Sequence, residues 1–553
     1  MFKIILQITS IFLLLITSVV AQNNAFNFIY PLDRSPVVTG NYGEIRPNHF
    51  HAGLDFTTDP SKNLPIKSVA DGFVSRIKIS SGGYGKVLYI THPNGYVSVY
   101  AHQKRYASKI EAYVKQQQLI QQKNDIELHL APQELSVKKG EVVGYTGNSG
   151  SSTGPHLHFE IRDEKTEVPI NPLLIYNVKD DIKPVLTNVV FYNTEDTTNV
   201  ESKITLPILD KKGKLHAKKN KMTLSFNTLA IGFSGFDISN LTSNKNNIYE
   251  AKLLLDNRLI YHHQLDQISF DHGRFVNFFS EKMNGSKIQK CFAPTCHSIG
   301  IYKTLIGGGK IELKDTLFHQ LELQVADEKG NKNSIVFFVK TTKLNGYAKK
   351  SKMPSVSCHQ DFELKQSSIE VSISAGTLVN DAYINYPANT PKIQSSGVRF
   401  GNKAIPLMKP FKIALKLDDV INDKASKLVM TVNGDVIGGK FENQWLRAES
   451  KFFGAFNFAY DTVSPKIIFP ENKNIKKSLA ANVLTMLVSD NLSGIGDYHV
   501  YVNDVWHIAE YDAKSNTITC SFSESVSAGS VHVRVDVFDK VFNKSTLNIS
   551  LNR

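Results

Sequence analysis

The chain has 553 residues, of which 41% are hydrophobic and 21% charged, so it has the composition of a folded globular protein but is too long for one hydrophobic core. The formal net charge of +13 is spread along the sequence, and no RRM-, zinc-finger- or helix-turn-helix-like motif accompanies it, so a nucleic-acid partner is not predicted. Such a charge suits a protein that works near an anionic polymer, although a solvated basic surface explains it equally well.

The N-terminal sequence MFKIILQITSIFLLLITSVVAQ combines Lys3 with an apolar run that ends at Ile16 and with small residues before Gln22. This arrangement predicts a signal peptide over residues 1–21, cleaved after Ala21. A membrane anchor is the alternative, but the apolar run is short and polar residues interrupt it. No later run approaches a membrane span. We therefore expect an exported protein of the periplasm or cell envelope, or outside the cell, with no membrane span once the signal peptide is removed.

From residue 28 to residue 176, apolar or alternating stretches such as GKVLYITH and YVSVYAH are separated by turns that contain glycine. This pattern predicts a β domain over residues 27–177. One segment differs: ASKIEAYVKQQQLIQQK, residues 107–123, lacks Gly and Pro and places Ile110, Tyr113, Val114 and Ile120 at roughly helical spacing. A helical insertion is therefore expected at about residues 105–137.

After Asn177 the strands become longer, and a weak internal repeat is present. VADEKGNK (325–332) and VFDKVFNK (537–544) share the pattern D-x-x-x-N-K, and each follows an alternating strand. Two Asp-containing stretches precede each of them: DDIKP and GFDISN before the first, DTVSP and SDNLSG before the second. Recurrent strands with such turns predict tandem β-sandwiches, the last of them Ig-like, so the predicted fold class is mostly all-β. We place the bounds of the sandwiches at 178–345, 346–461 and 462–553.

The four cysteines, Cys291, Cys296, Cys358 and Cys520, are too few and too scattered for a disulfide scaffold. Cys291 and Cys296 bracket FAPT; they either close a small loop in an oxidising compartment or remain two free thiols. No pair has the CxxC spacing, so a zinc–thiolate site is not predicted.

Two short stretches contain residues that suit a metal. NHFHAGLDF contains His51 and, four positions later, Asp55; GPHLHFE places His156 and His158 two positions apart, on one face of a strand. Two histidines and one carboxylate suit zinc and leave a position for water, whose pKa zinc lowers to about 7. His51, Asp55 and one of the GPHLHFE histidines therefore form a candidate catalytic zinc site, although each motif alone occurs often by chance.

Hydrolysis also needs groups that transfer protons and stabilise an oxyanion. His102, in VSVYAHQ at the end of a β pattern, is one candidate, and the histidine of HLH that does not bind metal is the other.

The ordered motifs YGEIRPNHFHAGLDF, YAHQ and GYTGNSGSSTGPHLHFEIR resemble those of the lysostaphin-type (LytM-like) zinc metalloendopeptidases over about residues 36–175. The resemblance implies a compact antiparallel β domain and peptide cross-links of peptidoglycan as the usual substrate. It also implies that His51, Asp55 and His158 bind one zinc ion per chain. The two catalytic histidines that it implies are His102 and His156. The framework residues that it matches are Gly53, Gly147, Gly154 and Pro155.

The sequence departs from the shortest members of that family in two places. Gln103 follows His102 where leucine is common, which is a small change. The insertion at 105–137 is larger, and we expect it near the rim of the cleft, where it would shape or cover the substrate groove.

Other polar residues close to these motifs have simpler interpretations. His49 lies two positions before His51, but only His51 has the four-residue step to Asp55. Glu160 shares the strand face of the HLH histidines, and a supporting role beside the metal ligands is expected for it. His92, in the turn HPNG, is expected to be structural.

The predicted function is that of an exported zinc endopeptidase that hydrolyses stem or cross-link peptides of peptidoglycan. One alternative is a non-catalytic relative that binds the cell wall and activates another wall hydrolase; relatives of that kind typically lose zinc ligands, whereas this chain retains the whole set. A second alternative is a zinc protease of glycine-rich protein, which the sequence of the cleft does not exclude.

Overall fold

The computed structural model describes residues 26–58, 62–194, 203–211, 213–343, 355–387, 397–417, 422–469, 483–521 and 529–552, and the predicted signal peptide, residues 1–21, lies outside them. Within these ranges the chain forms two compact units. The first contains residues 26–39, 53–117 and 125–178. The second contains residues 179–552 together with Gly40–Ala52 and Gln118–Asn124, two segments that lie inside the predicted 27–177 domain. Among the described residues, no helix has the length and apolar character needed to cross a bilayer.

An antiparallel sheet forms the centre of the first unit. Its strand His156–Asp163 lies between Leu54–Thr57 and Tyr96–Ala101. The remaining strands of this sheet are Val38–Gly40, Gly72–Ile79, Val87–Thr91, Ile126–His129, Ser136–Val137 and Pro169–Ile170, and a smaller sheet contains Pro65–Lys67, Arg105–Tyr106 and Val142–Tyr145. Every residue of Val87–Thr91 is buried, which explains why this strand is a continuous apolar run in the sequence. The β fold predicted for this region is confirmed.

The predicted helical insertion is also confirmed, with an α-helix at Ser108–Gln121. Ile110 and Val114 are buried and form its inward face. Ile120 was expected on that face but is 68% exposed, because the helix ends one residue later and its last turn presents Ile120 to solvent. A short 3-10 helix, Pro172–Leu174, follows the last strand of the unit.

The described part of the second unit contains three pairs of sheets, each pair with its own hydrophobic core. In the first pair, His319–Ala326 alternates so that Leu321, Leu323 and Val325 are buried, and Lys332–Thr341 beside it does the same with Ile335, Phe337 and Val339. This alternation is the period of two expected for a strand with one buried face. The mostly-β fold predicted from the sequence is therefore present, and the predicted boundary between residues 345 and 346 lies outside the described ranges.

The strands of the first sheet pair are Val185–Asn193, Lys203–Lys211, Lys214–Ala217, Thr228–Phe236, Ser280–Met283, Ser286–Lys290 and Ile311–Glu312 in one sheet, and Lys221–Leu224, Glu250–Leu255, Arg258–Gln264, Tyr302–Leu305, His319–Ala326 and Lys332–Thr341 in the other. Its helices are the 3-10 helices Phe270–Phe275 and Ile306–Gly309 and the α-helix Val276–Phe279.

The strands of the second sheet pair are Phe362–Lys365, Ile369–Ile373, Phe411–Lys416, Lys440–Glu442 and Trp445–Ser450 in one sheet, and Val398–Phe400, Leu428–Val432, Asp435–Gly438 and Gly454–Tyr460 in the other. It is accompanied by the two-stranded ribbon Ser355–Val356 with Ala382–Tyr383 and by the 3-10 helix Asn422–Lys427. The strands of the third sheet pair are Lys466–Ile468, Val483–Ser489, Ala509–Asp512 and Thr517–Ser521 in one sheet, and Ile495–Val502, Val505–His507, Ser530–Asp539 and Lys544–Asn552 in the other.

The cysteines pair differently from either alternative considered for Cys291 and Cys296. Cys296 forms a disulfide with Cys358, and their Cα atoms are 6.2 Å apart. Cys291 is a free, fully buried thiol within the core of the first sheet pair. Both alternatives, a loop closed between Cys291 and Cys296 and two free thiols, were therefore wrong, because Cys296 packs against the core of the second sheet pair, which contains Cys358.

Candidate metal centre

The register of three neighbouring strands places the predicted site residues. His158 pairs with Asp55 in the neighbouring strand Leu54–Thr57 and with Ala101 in the strand on its other side. His102 is the residue that follows Ala101, and His156 lies two positions before His158 on the same face. The antiparallel pairing therefore brings residues from distant parts of the sequence to one end of the sheet.

His51, Asp55 and His158 form a compact group of metal-binding side chains. Each contributes one ligand atom, all of these atoms lie within 4.8 Å of one another, and all three residues are buried. The Nδ1 atom of His158 lies 3.0 Å from Oδ1 of Asp55, close to the separation of roughly 3.3 Å expected between two ligands of tetrahedral zinc. Burial of two imidazoles and one carboxylate around a common point fits a divalent metal such as zinc.

Hydrogen bonds fix which nitrogen of each ligand histidine faces that point. The Nδ1–H group of His51 donates to the carbonyl oxygen of Asn41 over 2.7 Å, which leaves Nε2 as the metal donor. The Nε2–H group of His158 donates to Oε1 of Glu160 over 2.7 Å, which leaves Nδ1 as its donor. Partners of this type set the tautomer and orientation of metal-binding histidines.

Glu160 has the supporting position that its strand parity suggested. It is completely buried, accepts a hydrogen bond from the Tyr84 hydroxyl, and accepts another from Nε of Arg162 over 2.6 Å. Burial opposes ionisation, but the Arg162 and His158 charges outweigh it and hold the pKa of Glu160 at about 2. The Tyr84 ring stacks on His158 with ring centroids 5.0 Å apart. Glu160 is therefore a charged acceptor that holds one metal ligand in place.

His102 and His156 lie beside the ligand group, with ring centroids 4.7 Å apart. The Nδ1–H of His102 donates to the Ser149 carbonyl over 2.9 Å, and the Nδ1–H of His156 donates to the Gly154 carbonyl over 2.7 Å. Both histidines thus present Nε2 as a proton acceptor. Nε2 of His156 is buried without a hydrogen bond and lies 3.4 Å from Oδ1 of Asp55.

The electrostatic environment shifts the pKa values of His102 and His158 in opposite directions. Burial, with the nearby His158 and His156 rings, lowers the pKa of His102 to about 3, so that His102 is neutral at pH 7 and able to accept a proton. Burial also opposes protonation of His158, but its hydrogen bonds to Asp55 and Glu160 outweigh that effect and raise its pKa to about 9. In a metal-free chain a proton would occupy His158, whereas a metal ion would displace that proton.

His102 also has an unusual backbone conformation, with φ of 59°. Few residues other than glycine adopt this left-handed conformation, and it is concentrated at functional sites. The strand Tyr96–Ala101 ends immediately before it, and the backbone N–H of His102 donates to the Tyr84 carbonyl over 3.0 Å. The turn directs the His102 ring toward His156.

The framework glycines have different local roles. A Cβ on Gly53 would lie 2.2 Å from the Phe159 carbonyl oxygen, and one on Gly147 would lie 2.3 Å from the Lys104 nitrogen. Close backbone approach therefore requires glycine at both positions. A Cβ on Gly154 would meet no atom within 4 Å, and its contribution is the carbonyl that orients His156.

Two other histidines discussed in the sequence analysis, His49 and His92, lie outside the ligand group. His49 is exposed and its Nδ1 contacts the Pro47 carbonyl. His92 is buried between the Asp71 carbonyl and the Ser98 hydroxyl, and has the structural role expected of it. Sequence reasoning missed Arg162, although its parity with His158 and Glu160 in HLHFEIR was a usable signal. It also missed Tyr84, Asn41 and Ser149, whose stretches give no such signal.

Comparison with known proteins gives two matches to family profiles. Residues 49–126 and 126–172 match Peptidase family M23, and residues 354–461 match the Zu5-like domain. The first match covers the segment that contains all five candidate site residues.

Individual relatives align with the same region. DD-carboxypeptidase/endopeptidase Mpg of Neisseria meningitidis serogroup B is 28% identical over 160 residues, which cover 28% of this chain and 30% of the relative. Peptidoglycan DD-endopeptidase ShyC of Vibrio cholerae is 29% identical over 110 residues, 20% of this chain and 19% of the relative. The chain thus spans less than a third of the length of either of these relatives. Lipoprotein NlpD of Yersinia enterocolitica is 32% identical over 113 residues, which are 20% of this chain and 90% of that sequence. Through residues 49–172, the chain belongs to peptidase family M23.

Proposed function

We propose that the protein is an exported, zinc-dependent endopeptidase that hydrolyses peptide bonds in the cross-links or stem peptides of peptidoglycan. The observation that carries the proposal is the buried group of His51, Asp55 and His158 with His102 and His156 beside it. Its position inside a segment that matches Peptidase family M23 supports a peptidase reaction.

The ligand residues would hold one zinc ion through Nε2 of His51, a carboxylate oxygen of Asp55 and Nδ1 of His158. Zinc held by three protein ligands supplies Lewis-acid polarisation of a carbonyl and a water of lowered pKa. Asn41 and Glu160 hold the two ligand imidazoles in the tautomers that this role requires.

His102 and His156 would transfer the protons. Each has its Nδ1–H bonded to a backbone carbonyl, so Nε2 is the atom that accepts a proton from the attacking water and returns it to the leaving amine. Protonated on both nitrogens, either ring would also stabilise an adjacent oxyanion through Nε2–H. The lowered pKa of His102 keeps its Nε2 unprotonated before the reaction begins.

Peptidoglycan as substrate, and the periplasm or cell envelope as location, are supported by the family of residues 49–172 and by the substrate that the name of the Vibrio cholerae relative states. Export through a signal peptide at residues 1–21 remains part of the proposal. So does the division into a peptidase domain at 27–177 and later domains at 178–345, 346–461 and 462–553.

The test is to incubate the purified mature chain with purified peptidoglycan in three arms: with supplied zinc, with a chelator, and with zinc restored after chelation. Release of fragments that mass spectrometry identifies as products of peptide-bond cleavage is expected in the first and third arms only. His156→Ala, loaded with zinc, is the matched inactive control. Equal release by wild type and His156→Ala, or release that the chelator does not reduce, would refute the proposal.

A further inference from the structure

Two carboxylate clusters lie in the second unit, away in sequence from the residues of the candidate metal centre. The first carboxylate cluster contains Asp180, Asp237 and Asp327. The second carboxylate cluster contains Asp461, Asp490 and Asp539. In each, one oxygen from every carboxylate lies within 4.8 Å of the oxygens of the other two. The first accompanies the first sheet pair, and the second accompanies the third sheet pair.

The two clusters are built in the same way, from the D-x-x-x-N-K stretches of the sequence repeat. Asn331 donates from its side chain to Oδ2 of Asp327 over 2.6 Å and to the carbonyl oxygen of Asp180 over 3.0 Å. Asn543 donates in the same manner to Oδ2 of Asp539 over 2.6 Å and to the carbonyl oxygen of Asp461 over 2.7 Å. The asparagine of the repeat therefore ties the aspartate of its own turn to the aspartate at the start of the sheet pair.

The aspartates of the repeat turns are fixed by the backbone as well. Oδ1 of Asp327 accepts hydrogen bonds from the N–H groups of Lys329 and Asn331, both over 2.9 Å. Oδ1 of Asp539 accepts from Val541 and Asn543 over 2.9 and 2.8 Å. The same hydrogen bonds thus hold these two carboxylates at equivalent positions in two parts of the chain.

A second observation in each cluster points to a missing ligand. Oδ1 of Asp237 and Oδ1 of Asp461 are buried and have no hydrogen-bond partner, and these residues are only 5% and 0% exposed. Two buried serine hydroxyls, of Ser239 in GFDISN and Ser493 in SDNLSG, also lack a hydrogen-bond partner, and these two stretches carry Asp237 and Asp490. A buried carboxylate oxygen that lacks a partner is costly, and a bound cation would satisfy it.

The charges around the first carboxylate cluster do not neutralise its carboxylates. Burial, together with Glu328, Asp180 and Asp327, raises the pKa of Asp237 to about 8. The Lys329 ammonium group interacts electrostatically with Glu328, Asp327 and Asp180. With Asp237 these make four carboxylates, whose combined charge exceeds that of this one ammonium group.

We infer that each carboxylate cluster is a binding site for one hard divalent cation, and that calcium is the ion it takes. The donors that the structure provides are three carboxylate oxygens in each group, and neither a histidine nor a cysteine belongs to either group. All-oxygen donors favour calcium or magnesium over zinc and other transition metals. Three protein carboxylates suit the larger, less directional coordination shell of calcium, whereas magnesium keeps most of its water and demands near-octahedral geometry.

The test is isothermal titration calorimetry of CaCl2, and separately of MgCl2, into the full mature chain after divalent ions have been removed and one equivalent of zinc restored. Wild type is expected to bind two equivalents of calcium. Asp237→Asn and Asp461→Asn are each expected to bind one, and the double variant none. Asparagine at 461 retains an oxygen to accept the Ser493 N–H, a bond of 2.9 Å in the structure, so the substitution removes mainly charge.

Asp536→Asn is the matched control, because Asp536 is a buried aspartate of the third sheet pair that already accepts from the Thr546 hydroxyl over 2.6 Å and pairs with Lys544 over 3.2 Å. It should retain both equivalents. Calcium should also raise the midpoint of thermal unfolding of wild type and of the control, but not that of the double variant. If Asp237→Asn fails to fold, Asp180→Asn replaces it. If Asp461→Asn fails to fold, Asp490→Asn replaces it.

Absence of binding heat with either ion at millimolar concentration in wild type would overturn the inference without any variant. Two equivalents retained by the double variant would overturn the assignment to these clusters. Saturable binding of magnesium but not calcium would overturn the choice of ion. None of these readouts depends on peptidase activity, so failure of the proposed function would leave them unaffected.

Discussion

Asn41 and Asn247 form a reciprocal pair of hydrogen bonds, although 206 positions separate them in the sequence. The Asn41 side chain donates to the Asn247 carbonyl over 2.8 Å, and the Asn247 N–H donates to the Asn41 side-chain oxygen over 3.0 Å. The Asn41 carbonyl accepts the hydrogen bond from His51. The next residue in the chain, Tyr42, forms a further hydrogen bond: its hydroxyl accepts from the Ile268 N–H over 2.6 Å. The segment Gly40–Ala52, which carries a candidate zinc ligand, is thus fastened to residues of the first sheet pair.

Asn41→Ala should therefore weaken zinc binding without removing any ligand. The change leaves the buried N–H and carbonyl of Asn247 without partners, at a cost of about 1–3 kcal/mol in stability, and loosens the backbone that orients His51. Thermal unfolding and a zinc competition assay with a chromophoric chelator measure the two effects. Asn41→Asp, which keeps the acceptor for the Asn247 N–H but loses the donor, should be intermediate. Wild-type zinc affinity in Asn41→Ala would show that this pair does not position His51.

The two histidines of HLH should respond differently to substitution. His158→Ala should lose zinc and activity together, because His158 is the histidine that faces both Asp55 and Glu160. His156→Ala should retain zinc but lose roughly two or more orders of magnitude in turnover, the loss expected of a proton-transfer group. Bound metal per chain and release of peptidoglycan fragments are measured for both. If His156→Ala loses the metal and His158→Ala keeps it, the two roles are reversed.

Glu160→Gln should lower zinc affinity by about 10–100-fold, the usual effect of removing a charged partner from a ligand histidine. The amide still accepts a hydrogen bond from His158, so the ligand remains in place while its basicity falls. Arg162 would lose its buried counter-charge, and a lower unfolding temperature is therefore also expected. Zinc titration at fixed pH is the decisive measurement. Unchanged affinity together with lower stability would mean that Glu160 serves only Arg162 and Tyr84.

Gly53→Ala should destabilise the peptidase segment by roughly 1–3 kcal/mol or more, because the new Cβ would overlap the Phe159 carbonyl oxygen and the Glu160 side chain. The unfolding midpoint should fall and zinc binding should weaken with it. Gly154→Ala is the matched control: its Cβ has open space, and the carbonyl that orients His156 remains. Equal midpoints for the two variants would contradict the steric argument.

His263 should make stability fall in acid. It is completely buried beside Phe279, with Nδ1 3.0 Å from the Tyr261 hydroxyl, and burial lowers its pKa to about 3. The unfolded chain, with a histidine pKa of about 6.5, binds the proton more readily, so this contribution is complete above about pH 6.5 and is lost as pH falls toward 3, at about 1.4 kcal/mol per unit of pKa difference.

His263→Gln should flatten this part of the stability profile, measured as the midpoint of denaturant unfolding between pH 4 and pH 7. His216→Gln, at an exposed strand position, is the control and should follow wild type. A His263→Gln profile as steep as that of wild type would assign the acid sensitivity to other groups.

Local patterns were sufficient to predict much of the fold. A segment free of Gly and Pro became the helix Ser108–Gln121, and alternating stretches became strands with one buried face. The residues of the candidate centre were also recognisable, because HLH and the His-x-x-x-Asp step are local patterns. The family resemblance placed them in one site, but the local patterns did not give the strand register that sets His158 opposite Asp55, because this pairing spans 103 positions.

Long-range partners account for what sequence reasoning missed. Asn41 acts through Asn247, and Tyr84 acts through Glu160, 76 positions away. Cys296 lies near Cys291 in the chain, yet its disulfide partner is Cys358, because Cys296 packs against the hydrophobic core that contains Cys358. The sequence showed the aspartates of the repeat only in separate turns. The folded chain brings three of them together in each of the two carboxylate clusters.

The disulfide between Cys296 and Cys358 closes a covalent ring, with the two cysteines 62 positions apart. A protease that cuts the backbone anywhere inside this ring would produce two polypeptides that still migrate as one species until a reductant is added. The N-terminal fragment would retain the candidate metal centre, while the other would retain the third sheet pair. Sulfur chemistry, rather than backbone continuity, would then determine whether the peptidase segment and its C-terminal array remain one molecule.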